Sequence, residues 1–113
     1  MIYHITTHAA WRHAVENGLY TAPSLTTEGF IHCSTREQVI PVGNAFYRDT
    51  PDCVLLAIDD AQIASALVWE APAHPDGTPA VPTEAKFPHV YAPIPMSAVV
   101  QISPFTRDAS GLY

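Results

Sequence analysis

The stretch Glu28-Gly29-Phe30-Ile31-His32-Cys33-Ser34-Thr35-Arg36-Glu37-Gln38-Val39 passes from an apolar strand, through a histidine, straight into a helix. Phe30 to Cys33 reads as the strand and Thr35 to Tyr47 as the helix. Ser34 with Glu37 makes a capping box, in which the hydroxyl accepts from an orphan amide and the carboxylate reaches back. Strand-to-helix junctions carry free N–H groups and the positive end of the helix dipole, so α/β and α+β folds place ligands there. His32 is therefore a candidate site residue. The plainer role for it is a half-buried position with a hydrogen bond to a neighbour.

Working outward, Met1 to Thr6 alternates as a first strand. Thr7 is the N-cap of a helix over His8 to Asn17, and Gly18 is its C′ residue. Trp11, Ala14 and Val15 are spaced to form its apolar face. Leu19 to Thr27 reads as loop. Pro41 falls inside the Thr35 to Tyr47 helical pattern and should end or kink it, or mark two short helices. Cys53 to Asp59 is a buried strand, apolar on both faces. Asp59 and Asp60 cap a short turn or helix at Ala61 to Ala64. Leu67 to Glu70 is a further strand. Residues 71–85, with Pro72, Pro75, Gly77, Pro79 and Pro82, read as a long surface loop. Phe87 to Tyr91 is extended, Pro93 to Pro95 turns, Ala98 to Ile102 is a last strand, and Thr106 to Tyr113 is a loose tail. Helices fall early and strands late, which predicts a single α+β domain over residues 1–113 with two N-terminal helices.

The composition narrows the function classes. Charged residues make up 14% of the 113, and the net charge is −6. The cations Arg12, Arg36, Arg48, Lys86 and Arg107 are scattered, so a long nucleic acid is not an expected partner. No apolar run reaches the ~20 residues that cross a bilayer. The N-terminus lacks a signal-peptide pattern. Cys33 and Cys53 stand alone without CxxC spacing, which fits a reducing cytoplasm and core positions. A monomer or weak homodimer acting on a small molecule is the expectation.

Six histidines is a high count for this length. His4, His32 and His89 lie on strands and could converge on one cleft, with His8 and His13 on the first helix and His74 in the proline loop. Imidazole serves as base, donor or ligand. Without HExxH or HxH spacing no metal is expected. Glu70, at a strand end after Trp69, could pair with a histidine or stabilise a developing cation. Glu28 precedes the His32 strand and reads the same way, or as a solvated residue. Tyr3, Tyr20, Tyr91 and Trp69 are the aromatics nearest the histidines, able to stack on a planar ring or to fill core. No dinucleotide fingerprint, P-loop or nucleophile elbow is present.

Three segments together resemble one family. They are Tyr3-His4-Ile5-Thr6, Glu28-Gly29-Phe30-Ile31-His32-Cys33-Ser34, and Phe87-Pro88-His89-Val90-Tyr91 followed by Pro93. This pattern resembles the small bacterial family called domain of unknown function 952, over nearly the whole chain. That family looks like a compact ADP-ribosyltransferase fold, nearest the RNA 2′-phosphotransferase branch, with small split sheets around a cleft for NAD. The resemblance implies that His4, with Thr6 of the same motif, binds the adenosine-side ribose. It implies that His32 and Ser34 flank the nicotinamide ribose, with His32 catalytic. The third motif in many relatives is a glutamate that stabilises the oxocarbenium-like state. Glu70 is one candidate for it, and the alternative is that His89 with Tyr91 replaces it as cofactor contacts. The implied activity is that of an NAD- or ADP-ribose-binding transferase, active or degenerate, on a small molecule or protein. The alternatives are a non-catalytic module for a nucleotide-like or sugar-phosphate ligand, a metal-independent hydrolase or isomerase using paired histidines, and an interaction protein.

Overall fold

The computed structural model describes residues 1–71 and 86–113. The proline-rich loop expected at residues 71–85, with His74, therefore lies outside the described residues but for Ala71. The fold is α+β, with three small antiparallel sheets and three α-helices among the described residues.

Strand β4 (Cys53–Ile58) is the centre of the first sheet, between β1 (Ile2–Thr7) and β8 (Val99–Pro104). Successive side chains of a strand point to opposite faces. Here each face meets a different core. Ile2, Val54, Leu56 and Ile58 face the main core with Ile31, Val90 and Ile94. Ile5 and Cys53 face a second cluster with Val39 and Phe105. Both faces are covered, which is why β4 reads as a continuous apolar run.

Helix α1 (His8–Asn17) begins and ends where its caps dictate. The Thr7 hydroxyl accepts from Ala10 N–H at 3.1 Å, and Gly18 closes the helix at φ 78°. Its apolar stripe is Ala10, Trp11 and Ala14, all against the main core. Val15, expected on that stripe, is 55% exposed.

Leu19 to Thr27 is not a loop. Leu19–Tyr20 form β2, paired with β7 (Ile94–Pro95), and Pro23–Thr27 form α2 with proline in its first turn. Helices in the first half thus number three rather than two. The third, α3, is shorter than expected and runs Val39–Phe46. Pro41 sits in its first turn, where an N–H would have no intrahelical partner, so it starts the helix without kinking it.

The reciprocal pair of capping-box form lies one residue beyond the expected one, in the turn that leads into α3, whose own N-cap Gln38 makes no side-chain cap. Thr35 N–H donates to Gln38 Oε1 at 2.9 Å, and Gln38 N–H to Thr35 Oγ1 at 3.3 Å. Ser34 is otherwise engaged: its backbone forms a bridge with Tyr3, at 2.7 and 2.8 Å. Asp59 caps the 3-10 turn Asp60–Ala66 as expected, accepting from Ala61 N–H. The tail is not loose. Tyr113 stacks on Phe105, its N–H donates to Asn44 Oδ1, and its hydroxyl donates to Tyr47 C=O.

The third sheet has the order β3 (Ile31–His32), β6 (Phe87–Val90), β5 (Leu67–Glu70). It joins the first sheet through the Tyr3–Ser34 bridge.

Candidate functional site

One face of the third sheet packs into the main core through Ile31, Val90 and Leu67. Alternation puts the chemistry on the other. His32 and His89 are direct partners across β3 and β6, and Val68 is the partner of His89 across β5. Residues directly opposite share a face, as do residues two apart. Glu70 and Tyr91 therefore join the two histidines, whereas Trp69 falls on the opposite face.

The contacts are specific. His89 Nδ1–H donates to Glu70 Oε1 at 2.9 Å, and the Tyr91 hydroxyl donates to the same oxygen at 2.5 Å. These two bonds, the tyrosine's first, hold the Glu70 carboxyl below the usual carboxylate range. The Tyr91 hydroxyl is correspondingly pushed up, chiefly by its bond to Glu70, and stays protonated. His32 Nε2–H donates to Glu28 Oε2 at 2.9 Å, from a ring that is 43% exposed. The histidine rings are 5.5 Å apart, centroid to centroid. A carboxylate can only accept, so each pair fixes a tautomer. His89 carries its proton on Nδ1 and His32 on Nε2. The two imidazole–carboxylate pairs thus present opposite ring nitrogens.

Phe30 completes the constellation. Its ring stacks on His89 at 4.1 Å and 19°, meets His32 edge-on at 4.7 Å, and lies 5.4 Å from Tyr91. Gly29, at φ 90°, turns the chain into this position. Sequence reading placed Phe30 in a strand and gave it no role at the site. The available signal was its i, i+2 spacing from His32.

His4, Thr6 and Ser34 are placed differently. All three are buried, as is His89 beneath the Phe30 ring, but their partners lie elsewhere. His4 Nδ1–H donates to the His32 carbonyl at 2.5 Å, and its Nε2 lies 2.7 Å from the Tyr20 hydroxyl, itself 2.9 Å from Thr6 Oγ1. Of the seven candidate residues, the fold brings His32, His89, Glu70 and Tyr91 to one open face and sets His4 and Thr6 behind it. Ser34 follows His32 by two residues and is held by its backbone. Among the described residues no group of three His, Cys, Asp or Glu side chains could hold a metal ion.

A cavity of about 460 Å³ opens elsewhere, lined by Thr50, Cys53, Phe105, Arg107, Asp108 and Tyr113 among others. Asp52 also lines it, but none of the histidines does, so the open face remains the better candidate despite being less enclosed. Among the described residues no helix is long and apolar enough to cross a membrane.

Comparison with known proteins agrees with this architecture. Protein CC0527 from Caulobacter crescentus, in its crystal structure, is 30% identical over 98% of this chain and 90% of its own, with a TM-score of 0.83. Its solution structure gives a TM-score of 0.78 over 98% of this chain and 89% of its own. No curated protein matches the chain. A family model described as "Protein of unknown function (DUF952)" matches residues 5–102, and the chain belongs to that family.

Proposed function

We propose that the chain binds NAD or ADP-ribose on the open face of β3, β6 and β5, as an ADP-ribosyltransferase-like protein. One observation carries this reading. Tyr91 and His89 both donate to Glu70 Oε1, so among the described residues the second oxygen, Oε2, has no partner. An ionised, oriented carboxylate with a spare oxygen suits two tasks. It accepts hydrogen bonds from ribose hydroxyls, and it stabilises positive charge growing on a sugar carbon.

The surroundings fit the nicotinamide-ribose half of such a ligand. Phe30, His32 and Tyr91 offer ring surfaces for a planar heterocycle, with His89 buried beneath Phe30. His32, paired with Glu28, can exchange a hydrogen bond with a ribose hydroxyl. Lys86 is exposed and precedes Phe87, the strand partner of Glu70. It is the cation nearest β6 in sequence and would be available to a pyrophosphate. NAD would supply a glycosidic bond with nicotinamide as leaving group, and Glu70 would lower the barrier to its loss. With a net charge of −6, an acceptor would be a small molecule or a protein side chain rather than a long RNA.

A second reading is a binding module without catalysis. The Phe30 ring favours it, because it covers one face of His89 and limits that imidazole as an acid or base.

Titration of the protein with NAD, ADP-ribose and nicotinamide, followed by thermal shift and calorimetry, tests the proposal. A ligand that binds only the folded state raises the Tm by mass action. The expected result is a shift with NAD or ADP-ribose that His32→Ala and Glu70→Gln abolish while both variants stay folded. No shift at millimolar ligand refutes it. Release of nicotinamide from NAD then separates enzyme from binding module.

A further inference from the structure

Strand β3 is two residues long, too short for its own ladder to hold a side chain in place. One edge pairs with β6 through Ile31↔Val90 and His32↔His89. Along the other edge lies β1, whose backbone contact is the single Tyr3–Ser34 bridge. Beside that bridge the next bond comes from a side chain. His4 Nδ1–H donates to the His32 carbonyl at 2.5 Å. The imidazole does for this carbonyl what a backbone N–H of a longer strand would do.

The other side of the ring is held as firmly. Burial lowers the His4 pKa to about 4, so the ring is neutral at neutral pH. A carbonyl only accepts, so Nδ1 carries the proton and Nε2 accepts from the Tyr20 hydroxyl at 2.7 Å. That uses the one proton of Tyr20, leaving Thr6 to supply the proton shared across 2.9 Å. The chain Thr6–Tyr20–His4–His32 links β1, β2 and β3, one strand from each sheet.

We propose that His4 is a positioning residue for His32. It anchors the His32 backbone so that the ring stands opposite His89 and against Glu28, and it does not itself touch ligand. Its consequence for binding rests on the ligand reading above, but its consequence for β3 does not.

Asparagine and glutamine separate the two nitrogens. Asn places an amide donor near the position of Nδ1, and Gln near that of Nε2. His4→Asn keeps the bond to His32 and gives up Tyr20, whereas His4→Gln does the reverse. The first readout needs no ligand: amide exchange at Cys33 and Ser34, with ring contacts of His32 to Phe30 and His89 by NMR. The expected result is near-native exchange in His4→Asn, and exchange faster by about tenfold or more, with lost ring contacts, in His4→Gln. The second readout is NAD and ADP-ribose affinity, expected to follow the same order.

Native exchange and ring contacts in His4→Gln overturn the proposal. So does loss of affinity in both variants while β3 stays native, which would make His4 a ligand contact. If the native protein binds neither nucleotide, the ligand reading fails and the exchange comparison still decides positioning. If neither variant folds, Tyr20→Phe serves instead, since it spares the His4–His32 bond. Native exchange at Cys33 and Ser34 is then expected, and disorder there overturns the proposal.

Discussion

The Tyr91 hydroxyl donates to Glu70 Oε1 at 2.5 Å, across 21 positions of sequence, and this bond does more than the one from His89 to keep the carboxyl ionised. Tyr91→Phe removes it and leaves the His89 bond in place. The Glu70 titration should then move up toward the ordinary glutamate range without returning to it. Carboxyl carbon shifts followed through acid titration measure this directly. An unmoved titration would mean that Tyr91 is not the main partner. Both residues are exposed at their polar ends, so the fold should be as stable as before.

His4 makes stability depend on pH. Its pKa is about 4 in the folded protein, from desolvation first, against an ordinary histidine value of 6.5. A depressed histidine means the unfolded chain binds more protons between those two values. The contribution is therefore complete above about pH 6.5 and is lost as pH falls toward 4. The total is on the order of 3 kcal/mol. Other histidines titrate in the same range, so the comparison to make is urea unfolding of native protein and His4→Asn from pH 4 to 7. The difference in slope between them isolates His4.

Tyr20→Phe leaves His4 Nε2 and Thr6 Oγ1 without their shared partner in a buried place. Leaving buried polar groups unpaired costs about 1–3 kcal/mol. Thr6→Val alone costs less, because Tyr20 keeps His4. In a double-mutant cycle the second change should cost much less once the first is made. Strict additivity would show that the two hydroxyls are not coupled.

Gly43 lies in α3 under the stacked pair Phe105 and Tyr113. A Cβ there would come within 2.7 Å of the Phe105 ring and 2.9 Å of the Tyr113 ring. Alanine gains up to about 1 kcal/mol of helix propensity over glycine. Overpacking costs about 1–3 kcal/mol, and Tyr113 cannot swing away freely because two hydrogen bonds hold it. Gly43→Ala should therefore destabilise the protein, with the Tm falling. A raised Tm would show that the tail yields.

Elements whose cause is local were readable from the chain. Thr7 and Gly18 bracket α1 because a cap needs only its own neighbours, and the apolar run of β4 announces a strand covered on both faces. Elements whose partners are distant were not. Leu19–Tyr20 is a strand only because Ile94–Pro95 lies beside it, and the tail is ordered only because α3 presents Asn44 and Tyr47 to Tyr113. The capping box slipped from Ser34 and Glu37 to Thr35 and Gln38 because the Ser34 backbone is taken by Tyr3, a contact that capping patterns do not encode.

For the site, residue types and the strand pattern by themselves placed His4, His32, His89, Glu70 and Tyr91 on strands or at their ends, as candidates of one kind. Only the tertiary structure decided which histidines share a face. His4 looks equivalent to His32 and His89 in the chain. It becomes a buried link because β1 runs along the edge of β3, where removal from water holds the ring neutral and the His32 carbonyl claims its proton. Side-chain period is a property of one strand, whereas burial and hydrogen-bond partners are set by which strands are brought together.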